Sequence, residues 1–417
     1  MTNYELRPVE AHEVGAYAAC QGAAFGSLYP PEKLESLATG LDLERSIAVF
    51  DGGDLVATTV SFAAAMTLPG LVRCQVAAVT DVSVSPTHRR RGLLRSMMRR
   101  QLDDIRSRHD EPVAVLYASE GGIYGRFGYG PATFAARYVV DKRLARLLPA
   151  APSSSPAGDA PCGSVRLLER AQAAEAFPLI FNEYALTRAG EVDRPDREWA
   201  DVLGDHASPG ETGRFFVCFE RDGSIDGYAV YRVAGIDPAD HWRRGVFLEE
   251  LCTLSDLAYT ALWRYLLGID LTEELRADSQ PVDEPARYLF EDQRQLRTAG
   301  SGERTWARLV DVPRALSLRR YDEQGRLVIE VEDAFCPWNE GRFGLSVDGD
   351  GIAVVERVGT PADLVLEVDA LGSIYLGGAP VTGMARVGRV KELSEGSARL
   401  AERMFRSERP PFCTSHF

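Results

Sequence analysis

Short runs of alternating apolar and polar residues mark out strands along the first third of the chain. Tyr4 to Pro8 predicts a strand, and Glu10 to Ala24, with Val14, Tyr17 and Ala18 on one side, predicts a helix. A loop at Tyr29-Pro30-Pro31 and a second helix over Leu34 to Leu41 are expected next. Ser46 to Phe50 and Leu55 to Met66 flank Asp51-Gly52-Gly53-Asp54, the pattern of a hairpin on an Asp-Gly turn. After a Pro69-Gly70 turn, a strand is expected from Val72 to Val79 and on through Val82 and Val84, which alternate with Ser83 and Ser85. Pro86 ends it, because proline cannot donate to a ladder. Pro112 to Ala118 is continuously apolar, as a buried central strand should be.

Ala150 to Gly163 is rich in Pro, Ser, Ala and Gly and reads as the clearest domain boundary. Beyond it the order repeats. Val165 to Leu168 is a strand, Ala171 to Tyr184 a helix, and Arg214 to Glu220 with Ile225 to Val233 a hairpin around Asp222-Gly223. Val246 to Thr253 is a strand, and Ser255 caps a helix bearing Leu257, Ala261, Leu262, Tyr265 and Leu266. Trp306 to Val312, a helix from Pro313 to Tyr321, and strands at Leu327 to Asp333, Gly341 to Val347 and Gly351 to Glu356 suggest a third region. Asp363 to Val368 and a helix over Asp369 to Gly378 follow. The division expected is 1–150, 151–298 and 299–417, in an α+β chain of mixed sheets.

The chemistry concentrates where the Val82–Val84 strand meets the next helix. Arg89, Arg90 and Arg91 precede Gly92, and Leu93, Leu94, Met97 and Met98 follow with helical spacing, so a helix is expected from near Arg90 or Arg91. A helix N-terminus offers unpaired N–H groups and the positive end of its dipole. Gly92 allows close backbone approach and the arginines add attraction, so a phosphate or pyrophosphate is the expected guest. The plainer alternative is a surface helix with a basic first turn. Positive charge there opposes the dipole, which makes three arginines poor choices for stability alone. The equivalent junction in the middle region, Cys252-Thr253-Leu254-Ser255-Asp256, has neither arginines nor glycine.

Val82-x-Val84-x-Pro86-x-x-Arg89-Arg90-Arg91-Gly92-Leu93-Leu94 resembles the acetyl-CoA motif of GCN5-related N-acetyltransferases, Arg/Gln-x-x-Gly-x-Gly/Ala. Leu94 departs from the small residue preferred in the last place. The RRRGLL form, with SEGGIYGRFGYG over Ser119 to Gly130, is similar to the enhanced intracellular survival (Eis-type) acetyltransferases of actinobacteria. The resemblance implies tandem acetyltransferase folds, the second without a coenzyme, then a sterol-carrier-protein-like C-terminal domain. Sterol binding does not follow from that fold.

It also implies roles. Val82, Ser83 and Val84 would pair with the pantetheine arm in a splayed gap opposite Tyr117, with Ser119 nearby. Arg89, Arg90, Arg91, Gly92, Leu93 and Leu94 would hold the pyrophosphate. Tyr124 would be the general acid for the leaving thiolate; on its residues alone it reads equally as a core tyrosine. The tail, Arg409-Pro410-Pro411-Phe412-Cys413-Thr414-Ser415-His416-Phe417, is expected to dock, with the Phe417 carboxylate near the acceptor amine as candidate base. Its intrinsic pKa of about 3.3–3.7 makes it a weak one. The family implies a homohexamer, acetyl-CoA as co-substrate, no metal, and cationic amine acceptors. Aminoglycosides, with the antibiotic resistance that follows, come first, and lysine-containing peptides or proteins second. A non-catalytic lipid-binding or partner-binding protein is the remaining alternative.

Composition narrows these readings. The 417 residues carry 47 basic and 61 acidic side chains, a net charge of −14, which argues against a nucleic-acid partner and suits cationic acceptors. Seven scattered cysteines, none in a CxxC spacing, argue against a disulfide framework or zinc site. The N-terminus lacks a signal-peptide apolar core, and no run is long enough to span a membrane. A cytoplasmic enzyme is expected, although export without a signal peptide leaves no sequence trace.

Overall fold

The computed structural model describes residues 4–27, 34, 37, 40–149, 163–204, 213–237, 239–240 and 242–417. The Tyr29-Pro30-Pro31 loop, half of the helix expected over Leu34 to Leu41 and nearly all of the linker lie outside them. The chain forms two compact units, Met1–Thr133 with Arg304–Phe417, and Phe134–Glu303.

The first unit begins with β1 (Glu5–Arg7), α1 (Val14–Phe25), β2 (Ser46–Asp51), β3 (Asp54–Leu68) and β4 (Val72–Val84). Gly52 and Gly53 both take positive φ, as the tight β2–β3 turn requires. Then come α2 (Leu93–Arg108), β5 (Val113–Tyr117), the single turn α3 (Gly121–Tyr124) and β6 (Gly130–Pro131). Neighbouring strands are antiparallel except β4 and β5, which are parallel and joined by α2. One flank of α2 packs Met98, Leu102 and Ile105 on Ala77, Val79, Ala114 and Leu116; Leu93 and Met97 pack on Ile47, Val49 and Val56. Each such buried side chain contributes about 1.5–3 kcal/mol, so the helix carrying the basic turn is firmly seated.

The second unit repeats the plan. Its elements are β7 (Phe134–Asp141), β8 (Gly163–Leu168), α4 (Arg170–Tyr184), α5 (Asp196–Leu203), β9 (Phe215–Arg221), β10 (Ser224–Gly235), β11 (Arg244–Thr253), α6 (Asp256–Gly268), β12 (Glu274–Pro281) and β13 (Arg297–Glu303). The strand order is β13-β7-β12-β11-β10-β9-β8, with β11 and β12 parallel. The N-terminus of α6 is filled by the chain itself. Ser255 Oγ accepts from Ala258 N at 3.2 Å, and Asp256 places an acid in the first turn.

The chain then returns to the first unit. β14 (Thr305–Leu309) inserts between β5 and β6, pairing Thr305 to Tyr117 and Leu309 to Val113. Two strands therefore cross the divisions expected at 150 and 299. Phe134–Asp141 belongs to the second sheet, and Thr305–Leu309 completes the first rather than opening a third region. A buried apolar strand such as β5 needs a partner on both edges. The C-terminal region adds α7 (Val312–Leu318), β15 (Gly325–Glu332), β16 (Gly341–Val347), β17 (Ala353–Arg357), β18 (Leu364–Glu367), α8 (Val368–Tyr375), α9 (Val381–Arg386), β19 (Val390–Glu392) and α10 (Ser397–Phe405).

Buried charge ties this region to β14. Arg308 and Asp333 are 0% and 1% exposed and meet at 2.7 Å; Asn339 bonds the same carboxylate. Asp333→Ala leaves a buried guanidinium without its counter-charge. It should cost about 3–5 kcal/mol, seen as an earlier transition in chemical denaturation than for the wild-type protein.

Candidate active site

β4 stays paired with β3 as far as Ala57↔Val84, but its ladder with β5 ends at Val79↔Leu116. From there the two parallel strands part. The cause is a bulge: the β3–β4 register shifts between Thr58 and Val60, and Asp81 takes φ +56°. Side chains hold that conformation. Tyr17 Oη donates to Asp81 Oδ2 at 3.0 Å, and Thr58 Oγ1 donates to the Asp81 carbonyl at 2.8 Å. The Ser83 hydroxyl lies 2.7 Å from Thr58 Oγ1 and 3.8 Å from Cys20 Sγ. The β5-facing edge of 80–84 is left without a strand partner among the described residues.

The basic turn follows. Pro86–His88 form one 3₁₀ turn, Arg90 takes φ +63° and Gly92 φ +84°, and α2 starts at Leu93. The helix thus begins later than the expected Arg90 or Arg91, because two left-handed residues interrupt it. Gly92 caps it with no side-chain bond, and a Cβ there would meet nothing within 4 Å. The first turn of α2, Leu93 to Arg95, lines a cleft; the first N–H groups of a helix have no partner within it, and left-handed residues beside a helix start form a concave nest for an anion.

Val82, Ser83, Val84, Arg89, Arg90, Gly92, Leu93, Leu94, Ser119 and Tyr124 all line one cleft of about 600 Å³. Arg91 does not line it: its guanidinium donates to Tyr4 Oη at 2.9 Å and to the Thr87 carbonyl at 3.1 Å. Further lining residues were not anticipated, among them His88, Arg95, Glu120, Ile123, Arg126 and Phe127. Five basic side chains (His88, Arg89, Arg90, Arg95, Arg126) thus face one carboxylate, Glu120, on a chain of net charge −14. His88 is fixed by Asp51 Oδ2 at 3.1 Å, and Arg95 lies over the Phe335 ring at 5.2 Å.

Tyr124 ends α3 and is 4% exposed, edge-on to Tyr129 at 6.1 Å. Burial pushes its pKa up to about 12. The glycines after it serve packing more than ligand approach. A Cβ on Gly128, at φ +84°, would strike Val368 and Arg308, and one on Gly130 would strike the Asp369 carbonyl. The C-terminal region therefore props this wall from behind.

The tail docks at the end of β5. Arg304 donates to the Cys413 carbonyl at 2.6 Å and the Thr414 carbonyl at 3.0 Å, and Tyr117 Oη donates to the Ser415 carbonyl. Phe412, Cys413 and Ser415 are buried. The Phe417 ring sits edge-on to Phe62 at 5.8 Å and Tyr117 at 5.0 Å. Phe417 does not line the cleft, but Tyr117 is the last residue of β5, at the parting of the strands. No sequence signal singled out Arg304, because its role exists only once β14 returns to β5.

Comparisons with known proteins agree with this architecture. Acetyltransferase (GNAT) domain family models match residues 5–132 and 190–309, and the sterol carrier protein domain model matches 312–414. An uncharacterized N-acetyltransferase of Streptomyces coelicolor is 40% identical over 407 residues, covering 94% of this chain and 95% of that protein. N-acetyltransferase Eis of Mycobacterium tuberculosis is 34% identical over 399 residues, covering 93% of each. The chain belongs to the Eis-type N-acetyltransferases. The crystal structure of Eis1 from Mycobacterium abscessus superposes with a TM-score of 0.85 at 34% identity, covering 99% of this chain and 100% of that one. The enzyme is accordingly a tandem GNAT protein with a sterol-carrier-like C-terminal domain, in a family that uses acetyl-CoA.

Arg304→Ala should release the tail of this Eis-type enzyme. The expected outcome is faster backbone hydrogen exchange over 412–417 and quicker removal of Phe417 by carboxypeptidase; unchanged protection would mean other contacts suffice.

Proposed function

We propose that the enzyme transfers acetyl from acetyl-CoA to primary amines of aminoglycoside-type, polycationic acceptors, at more than one position. The observation that carries this is the meeting, in one cleft, of the unpaired β4 edge with the open N-terminus of α2. An added strand-like arm suits the first, and a pyrophosphate suits the second. Arg89 and Arg90 supply charge, and Val82, Ser83 and Val84 supply backbone partners with Ser119 across the gap. A backbone N–H near Val82 would stabilise the oxyanion as the amine attacks the thioester. The acidic balance of the chain favours a polycationic acceptor. A cytoplasmic, hexameric enzyme belongs to the same reading, as the family implies.

Tyr124 is the proton donor to the departing sulfur. With its pKa raised to about 12, it stays protonated at every practical pH. As a weaker acid than a thiol, about 8.5, it gives up its proton only as the proton shed by the new amide nitrogen replaces it. The raised value also sets the sign of the pH dependence: the donor form is lost above its pKa, so Tyr124 produces no fall in rate through pH 10. The Phe417 carboxylate attracts the incoming ammonium.

Thiol release from acetyl-CoA by untagged protein, with kanamycin as acceptor and mass spectrometry to count acetyl groups, tests the reading. More than one acetyl group per acceptor is the expected result; release with no aminoglycoside among the acceptors would overturn the substrate class. Gly92→Glu, which puts bulk and negative charge where a phosphate belongs, should weaken acetyl-CoA binding by calorimetry at least about a hundredfold, the loss of about 2.7 kcal/mol. Tyr124→Phe should leave that affinity unchanged and lower kcat by about 10²-fold.

A further inference from the structure

A polycationic acceptor carries several ammonium groups, and only one of them reacts at a time. We propose that Asp81 holds a second, non-reacting ammonium of the acceptor through its carboxylate oxygen Oδ1. This rests on the acetyl-transfer reading above and names a residue that selects, within it, for acceptors with more than one amine.

The position carries the argument. The β4–β5 ladder ends at Val79↔Leu116; Asp81 stands two places beyond it on one strand and Tyr117 one place beyond it on the other. The two residues flank the start of the gap. The peptide joining Asp81 to Val82 carries the N–H assigned above to the oxyanion, and Val82 lines the cleft. α1 lies along the same parted segment. Tyr17 meets Asp81, Cys20 Sγ lies 3.8 Å from the Ser83 hydroxyl, and Arg89 donates to the Ala24 carbonyl at 3.2 Å. Ala24 and Phe25, at the end of α1, line the cleft as well.

The carboxylate is satisfied on one side only. Tyr17, fully buried, donates to Oδ2 at 3.0 Å. Among the described residues no donor reaches Oδ1 and no cation pairs with the group, although Asp81 is half-buried. The oxygen held by a buried tyrosine is the inner one, so Oδ1 is left for a guest. Withdrawing a charge from water is costly without a counter-charge, and an ammonium supplies one in a charge-assisted hydrogen bond. Backbone geometry alone does not call for aspartate. Asparagine also tolerates the left-handed region and can accept from Tyr17 through its amide oxygen; what it lacks is the charge.

The guest is a spectator. The reacting amine must lose a proton before it attacks, and a fixed carboxylate at Asp81 would favour its charged form and oppose that loss. Against a neighbouring ammonium, which keeps its proton, the same charge orients the acceptor at no such cost. An acceptor with several amines can turn and present each of them in its place, which fits more than one acetylated position.

The test compares untagged wild type with Asp81→Asn, using kanamycin, which has several amines, and glucosamine, which has one. For kanamycin the variant's KM should rise about tenfold or more, the loss expected for one hydrogen bond between charged groups, with kcat little changed. The difference should shrink as salt is raised, because the charges are then screened. With glucosamine the two proteins should behave alike. Acetyl-CoA affinity by calorimetry should be unchanged, which also shows that the variant is folded. A wild-type KM for kanamycin, or an equal loss on both acceptors, would overturn the role of Asp81 and leave the proposed function standing. Wild type that binds acetyl-CoA but acetylates no amine would overturn the proposed function, and Asp81 with it.

Discussion

The structure depends on two parallel strands ceasing to pair. β4 and β5 run together for only four residue pairs, Val76↔Val113 to Val79↔Leu116. Had the ladder continued, no backbone edge would be free for an extended ligand and no gap would open beside Tyr117. The non-glycine residue Asp81 in the left-handed region enforces the separation, at a cost of order 1–3 kcal/mol. Tyr17, Thr58 and Ser83 hold it there. Strain of this kind persists only where the surroundings over-determine it, and here the surroundings are the cleft walls themselves. The second unit shows what the plan looks like without this use: the same strand-to-helix junction is closed by Ser255 and carries Asp256 where an anion would sit.

The C-terminal region is part of the first unit in a physical sense. β14 lies within the first sheet, and Arg308, reaching from it, pairs with Asp333 while lying against the Gly128 backbone. Arg319, fully buried, donates to the Phe405 carbonyl at 2.9 Å and to the Tyr375 carbonyl, gathering the ends of α10 and α8. Helix C-termini carry partial negative charge, so a cation there needs no carboxylate. Those helices set the platform from which the tail runs back to Tyr117.

Local features were legible in the sequence because local rules produce them. The Val82–Val84 alternation, Pro86, Gly92 and the Ser255 cap each act within a few residues, and each lies where its chemistry demands. The start of α2 was misread by two or three residues, since nothing in Arg90 announces a positive φ. Arg91 looked like its neighbours, yet it reaches Tyr4, a partner 87 positions away in sequence. Arg95 and Arg126 sit in ordinary helical and turn contexts, and only folding brings them to one cleft. The two strands exchanged across the expected boundaries were unreadable for the same reason: periodicity says that a segment is a strand, not which sheet receives it.

The late arrival of β14 has a consequence for biogenesis. Val113 cannot find Leu309 until some two hundred further residues have left the ribosome, about 10–40 s at 5–20 residues per second. Through that interval a strand of unbroken apolar sequence, VAVLY, has one edge unsatisfied. A nascent chain in that state is the form most open to mispairing with a second copy and most in need of a chaperone. Thr305–Leu309 is thus a closing strand for the first sheet, and it ties the birth of the cleft to completion of nearly three quarters of the chain.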